Sequence, residues 1–434
     1  MLTWPSPQIP EIPGSSDKIQ VHDTSTGALV EAAPGATAGL YVCGITPYDA
    51  THIGHANTYV TFDLLVRAWR DAGKRVTYVS NVTDVDDPLL ERAAATGVDW
   101  RDLARDQTAL FAEDMTALGV VPPDVYTGAV ESVPAVAAAV TALLESGAAY
   151  RVAPDEDGVT GDDVYADLRA DGAFGAVSRY DAATMGALFA ERGGDPGRPG
   201  KRDPLDPLLW RAERPGEPAW DGGVLGKGRP GWHIECTVIA RDGLGLSAPA
   251  GTSGTDEAPG ATFDVQGGGA DLTFPHHEMS SSHLRTLGGA APAAHVHAAL
   301  IGYQGEKMSK SLGNLVLVSR LRADGADPMA IRLALLAHHY RTSWEWTDAD
   351  LETGSDRLER WRAAMSGNGG PSAQDAIATV RAALAADLDA PAALAAVDAW
   401  ADAALDPSRE TTYDDEGAPG VLARTVDALL GVRL

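Results

Sequence analysis

Apolar positions along the first hundred residues change period twice. Residues 37–44 form a short continuous apolar run, which reads as a buried strand. Residues 45–51 read as a loop. From Gly54 onward Tyr59, Phe62, Val66 and Trp69 recur at helical spacing, and Gly73 ends the pattern. Residues 76–79 read as a second strand. Strand, helix and strand in such quick succession predict the opening of an α/β fold built on a parallel sheet.

The pattern then becomes mixed. Residues 88–146 read as helical. Residues 150–230 combine short strands with many glycines and prolines, and strand-like segments return at 263–266 and 295–301. Between them, 246–261 (LSAPAGTSGTDEAPGA) is small, polar and proline-interrupted, and reads as a disordered surface loop. From 327 to 434 the pattern is almost wholly helical. These shifts divide the chain into an N-terminal wrap over 1–37, with a short strand near 19–22, a catalytic domain over 38–320 and a helical domain over 321–434. An inserted connective segment spans about 100–230 of the catalytic domain.

Composition narrows the class. The formal net charge is −27, from 34 Lys and Arg against 61 Asp and Glu. That balance disfavours a long phosphate-binding surface and hence a nucleic-acid partner. No apolar run is long enough to span a bilayer, and the N-terminus lacks the pattern of a secretory signal, so no membrane partner is expected. The cysteines, Cys43 and Cys236, lie far apart in sequence, which fits a reducing, cytoplasmic setting better than a disulfide framework.

Two motifs carry candidate chemistry. His52-Ile53-Gly54-His55 opens a helix directly after a strand. A helix N-terminus favours an anion, and imidazoles can donate to phosphate oxygens. Further on, Lys307-Met308-Ser309-Lys310-Ser311 places two lysines in a short loop, suited to neutralising a departing pyrophosphate. A lone pair of histidines or a lone basic turn has ordinary structural explanations. In this order, on an α/β pattern, the two motifs together are far more specific.

The pair resembles the two signature motifs of class I aminoacyl-tRNA synthetases. YVCGITPYDATHIGHANTY, NVTDVDD, GRPGWHIEC, DVQGGGADLTFPHHE and KMSKSLGN are similar to cysteinyl-tRNA synthetases from about residue 19 to about 360. ERGGDPGRPGKRDPLDPLLWR at 191–211 and the opening LTWPSPQIPEIPG are more similar still to the cysteine ligases of mycothiol biosynthesis, which join cysteine to the amine of glucosaminyl-inositol.

The resemblance implies a Rossmann-like nucleotide-binding domain with a C-terminal helical domain, and a monomer that uses L-cysteine, ATP with Mg²⁺, and glucosaminyl-inositol. His52, His55, Lys307, Lys310 and Asp271 take the catalytic positions. Asp271 would either receive the proton of the attacking amine or anchor the ammonium of the substrate. Cys43, Gly44, Ile45, Thr46, Thr58, Asn81, Val82, Thr83, Trp232, Gly269, Ala270, Asp271 and Ile301 fall where the aminoacyl-adenylate binds. Cys43, Cys236 and His276 fall on the ligands of a single zinc ion. A glutamate fourth ligand of the synthetases is replaced by Ser280. Three protein ligands leave a position open for the sulfur of the substrate. His277 and Glu278 read as supports of that site. Asp84, Asp86 and Asp87 read as a capping, solvated loop.

Three functions compete on these residues: the ligase, a cysteinyl-tRNA synthetase, and a catalytically silent paralogue. The intact motifs and zinc ligands disfavour the third. The acidic charge, the short helical C-terminal region, the missing fourth ligand and the 191–211 segment favour the ligase over the synthetase.

Overall fold

The structure is a computed structural model that describes residues 3–156, 159–246, 262–308, 314–408 and 415–434. Lys310 and all of the expected 246–261 loop except Leu246 lie outside the described residues, as does the side chain of Lys307.

Five parallel strands form the central sheet: β1 (Thr37–Ile45), β2 (Arg75–Val82), β3 (Val125–Gly128), β4 (Val265–Gly269) and β5 (Ala294–Ala298). Their order is β5-β4-β1-β2-β3, and every neighbouring pair is parallel. Helix α1 (Ile53–Asp71) returns the chain from β1 to β2. The apolar run of β1 is buried from Ala38 to Cys43 because layers cover both faces of the sheet. The chain builds outward from β1 in one direction through β2 and β3. It then begins again on the other side with β4 and β5. Such a switch opens a crevice at the carboxyl ends of the two strands that flank it, here β1 and β4. Cys43 and Gly269 stand at those ends.

Strand β3 lies within 88–146, which the sequence pattern assigns to helix. Its four residues, VYTG, run straight into helix α2 (Ala129–Glu145), so two-residue alternation has no length in which to show. Its pairing with β2 comes from long-range contact instead.

The inserted segment forms a second sheet, antiparallel throughout, in the order Ala149–Val152, Asp163–Ala166, Leu208–Ala212, Lys227–Pro230, Trp220–Asp221. It packs on α2 and on helix α3 (Trp232–Gly243) around Val136, Val140, Trp210 and Ile234. Helix α4 (Glu278–Thr286) follows β4. The C-terminal region is built from α5 (Pro328–Leu336), α6 (Asp348–Met365), α7 (Gln374–Ala385), α8 (Ala390–Leu405) and α9 (Ala418–Thr425).

A buried charge cluster ties this helical region to α1. Asp63 accepts from Arg67 Nε at 2.7 Å, from the Val121 N–H at 2.8 Å and from Arg332. Arg332 also donates to the carbonyls of Leu118 and Leu430, and Arg67 to those of Gly119 and Asp427. Burial opposes the charge on Asp63, but Arg67 and Arg332 outweigh it and hold its carboxyl below the usual range. The helix that opens with His52 is thereby fixed against the last turns of the chain.

Candidate active site

A cavity of about 1070 Å³ occupies the crevice at the switch of the sheet. Its lining includes Cys43, Gly44, Ile45, Thr46, His52, His55 and Thr58, together with Trp232, Gly269, Asp271 and Ile301. These are the sequence-expected residues that the fold brings together on the wall. Asn81, Val82 and Thr83 are buried beneath it. The Asn81 carboxamide oxygen accepts from the Gly44 N–H at 2.7 Å and from the Tyr41 hydroxyl at 2.9 Å, while its nitrogen donates to Thr83 at 3.2 Å. Asn81 and Thr83 thus brace the end of β1. Gly44 is required there, because a Cβ would fall 1.6 Å from the Asn81 carbonyl oxygen.

His52 is the N-cap of α1. Its Nδ1 accepts from the Gly54 N–H at 3.1 Å and from the His55 N–H at 3.4 Å, and its ring stacks on His55 with centroids 3.8 Å apart. The Ile53 N–H is taken by the Val316 carbonyl at 2.9 Å. The first amides of the helix are therefore occupied, which counts against a purely backbone anion site. Gly54 also serves the cap: a Cβ would stand 2.9 Å from the His52 ring.

Behind the wall lies the only group of three or more His, Cys, Asp or Glu among the described residues whose ligand atoms could share a metal: Cys43, Cys236 and His276. Their ligand atoms lie within 4.8 Å of one another, and all three residues are buried. Cys43 ends β1, Cys236 sits in α3 and His276 lies in the tight turn before α4. His276 Nε2 has no hydrogen-bond partner among the described residues. Two thiols and an orphaned imidazole nitrogen form a donor set that suits zinc. Without an ion, a hydrogen bond to Cys43 and then burial push the Cys236 thiol well above its usual range. Ser280, in the position of the fourth ligand, is buried with its hydroxyl unpartnered among the described residues.

Around these ligands is a layer of histidines whose collective role the sequence did not reveal. His277 Nε2 lies 3.3 Å from the Cys43 sulfur and its Nδ1 2.8 Å from His297 Nε2, while His297 Nδ1 meets the Thr24 hydroxyl at 2.7 Å. His295 bonds Ser281 at 2.8 Å. Burial lowers the pKa of His283 and His297 to about 3 and that of His295 to about 4. The available signal was Ala294–Ala298, AHVHA, a fully buried strand with two polar rings. Glu278 accepts from the N–H groups of Gly175, Val177 and Ser178 and so anchors the loop next to the turn.

Of the three aspartates expected in a capping, solvated loop, Asp86 does cap the helix Asp87–Thr96. It also faces the cavity, and burial raises its carboxyl to about 6. Asp84 is half-buried and accepts from the Val130 N–H at 2.9 Å.

Residues 30–356 match the family of tRNA synthetases class I (C) catalytic domains. The L-cysteine:1D-myo-inositol 2-amino-2-deoxy-alpha-D-glucopyranoside ligase of Sanguibacter keddieii is 69% identical over the full length of both chains, that of Cellulomonas flavigena 67% and that of Streptomyces coelicolor 57%. Among solved structures, Mycobacterium tuberculosis methionyl-tRNA synthetase bound by methionyl-adenylate superposes with a TM-score of 0.58 at 16% identity, covering 91% of this chain and 92% of that one. A LeuRS–tRNA–LeuAMS ternary complex of Agrobacterium radiobacter K84 gives 0.63 at 13%, covering 92% and 83%. At such identities the two structures establish the fold. The full-length relatives establish more: this chain belongs to the family of L-cysteine:1D-myo-inositol 2-amino-2-deoxy-alpha-D-glucopyranoside ligases, built on the class I tRNA synthetase catalytic fold.

Proposed function

We propose that this chain uses ATP to join L-cysteine to the amine of glucosaminyl-inositol, a step of mycothiol biosynthesis. It acts as a cytoplasmic monomer. The observation that carries the reading is the meeting of three features at one cavity: the stacked His52 and His55, the wall of the inserted segment, and Cys43, which lines the cavity and belongs to the buried group it forms with Cys236 and His276.

In the first step a carboxylate oxygen of cysteine attacks the α-phosphorus of ATP, and pyrophosphate leaves. His52 and His55 donate to phosphate oxygens, and Lys307 and Lys310 neutralise the charge that builds on the leaving group, with Mg²⁺ accompanying the nucleotide. In the second step the neutral amine attacks the carbonyl carbon of the mixed anhydride. An amide bond forms, AMP departs, and the amine proton passes to a base. Asp271 lines the cavity beside Gly269. There it either takes that proton or holds the cysteine ammonium. A zinc ion held by Cys43, Cys236 and His276 would bind the substrate thiolate and discriminate it from a hydroxyl.

A direct test is ATP–pyrophosphate exchange with cysteine and with serine. Exchange with cysteine at least 1000-fold more efficient, roughly the discrimination of sites that bond one substrate atom, supports the reading. Equal exchange with serine would overturn it.

A further inference from the structure

The inserted lobe of the cavity holds a guanidinium that adenylate formation leaves unused. Helix Ala182–Glu191 ends at Arg192, on the cavity wall. Gly193 follows with φ +85°, which turns the chain back sharply, and a Cβ on Gly194 would lie 2.5 Å from the Phe189 ring. The two glycines are thus steric conditions for this bend. Nη1 of Arg192 donates to the carbonyls of Phe274 and Asp271. Both belong to the turn that leads to His276.

Arg192 is held by one nitrogen. A guanidinium carries five N–H donors, and the groups on Nε and Nη2 have no protein acceptor among the described residues. No described carboxylate pairs with it either. Its neighbours on the same wall differ. Arg198 pairs with Asp163 at 3.1 Å, Arg211 with Glu217 at 3.1 Å, Arg214 with Asp163 at 2.9 Å and Arg229 with Glu217 at 3.2 Å. In a chain with 61 acidic and 34 basic residues, a fixed and unneutralised fork on a cavity wall points to a ligand. The phosphate side of the cavity has its own donors in His52 and His55. Arg192 instead arrives from the inserted segment and meets the Asp271 turn, on the side where a second substrate must approach the carbonyl.

We propose that Arg192 binds the acceptor: its remaining N–H groups donate to hydroxyl oxygens of the amino-sugar pseudodisaccharide as the amine approaches beside Asp271. This assignment rests on the ligase reading above.

The test uses the full chain and the variants Arg192→Lys and Arg192→Gln. Lysine keeps a charged donor for the two carbonyls but loses the fork. Three quantities are measured: cysteine-dependent ATP–pyrophosphate exchange, zinc content, and amide formation over a range of glucosaminyl-inositol concentrations. Both variants are expected to keep zinc and to retain exchange within about threefold. The acceptor kcat/KM should fall at least about tenfold, mainly through KM, the scale of a lost charge-assisted hydrogen bond. Acceptor kinetics unchanged in both variants would overturn the assignment. Exchange and zinc falling in parallel with transfer in the lysine variant would also overturn it, since Arg192 would then act only on the turn. Failure of the unaltered chain to form the amide would refute the ligase reading itself, and the assignment with it.

Discussion

His233 Nδ1 lies 3.0 Å from Nδ1 of His276, and this contact leaves Nε2 of His276 as the nitrogen available to an ion. A buried polar atom without a partner costs on the order of 1–3 kcal/mol. The cost is explained if the atom has a ligand. Two buried thiols stand beside it, and burial pushes the pKa of His233 well below the usual imidazole range, so the ring that orients His276 stays neutral. A neutral ring can keep one nitrogen as acceptor and the other as donor, which fixes its neighbour.

Metal content therefore follows Cys236. Cys236→Ser is expected to lower bound zinc from about one per chain to near zero, because serine's hydroxyl is a far poorer ligand. Cysteine-dependent exchange should fall with it. Elemental analysis of the purified variant checks the first point, and unchanged metal and exchange would remove these residues from the site.

Acid should unfold the protein earlier than its carboxylates alone require. His283, His295 and His297 are held near 3, 4 and 3 in the folded state. In the unfolded chain each returns to about 6.5. The folded values lie below the unfolded ones, so the unfolded state binds more protons and stability is full above pH 6.5 and lost as pH falls. At about pH 5 the three together give a slope approaching 4 kcal/mol per pH unit. Guanidinium titrations at pH 7, 6 and 5 should show it, and His295→Gln should reduce the slope by about a third. A flat profile over this range would mean that these rings are not buried neutral.

The link between α1 and the C-terminal turns is expected to matter for stability. Arg332→Met leaves Asp63 with Arg67 as its remaining cation, beside the Val121 N–H, and frees the carbonyls of Leu118 and Leu430. Breaking one side of a buried ion cluster costs about 3–5 kcal/mol. Chemical denaturation measures it, and a loss below about 1 kcal/mol would show that the cluster is replaceable.

Much of the sheet was legible in the sequence because β1 and α1 differ in period and sit next to each other. β3 was not, since four residues ahead of a helix carry no period of their own. Cys43, Cys236 and His276, the candidate metal ligands, come from β1, α3 and the turn before α4, so no local spacing announces them. Only their resemblance to a family brought them together, and the fold then placed them within reach. Asn81 and Gly44 show the opposite limit. Their partnership is a contact between two strand ends, and nothing in either local sequence states it. The sequence pattern offers His52 as a candidate for the phosphate side, but nothing in it states that this ring caps its own helix's first amides.

The lysine loop should act on the transition state of adenylation. Lys307→Ala and Lys310→Ala are each expected to lower kcat for exchange by about 10²- to 10³-fold, the range for removing one charge-stabilising donor, with little change in the KM for cysteine. Steady-state exchange kinetics decide this. A double variant with an unchanged exchange rate would take the loop out of the chemistry.

The central claim is the identity of the acceptor. Cysteine activation is common to a ligase and to a synthetase and cannot separate them, whereas transfer can. A tRNA would need a long phosphate-binding surface whose affinity falls steeply with salt. A pseudodisaccharide needs a compact pocket beside the adenylate. The most direct measurement incubates the enzyme, ATP and labelled cysteine with glucosaminyl-inositol in one reaction and with cysteine-accepting tRNA in another, and follows the label. The account predicts a stable labelled amide of the amino sugar, formed with release of AMP and pyrophosphate, and no label on tRNA. Label on tRNA with none on the sugar would contradict it.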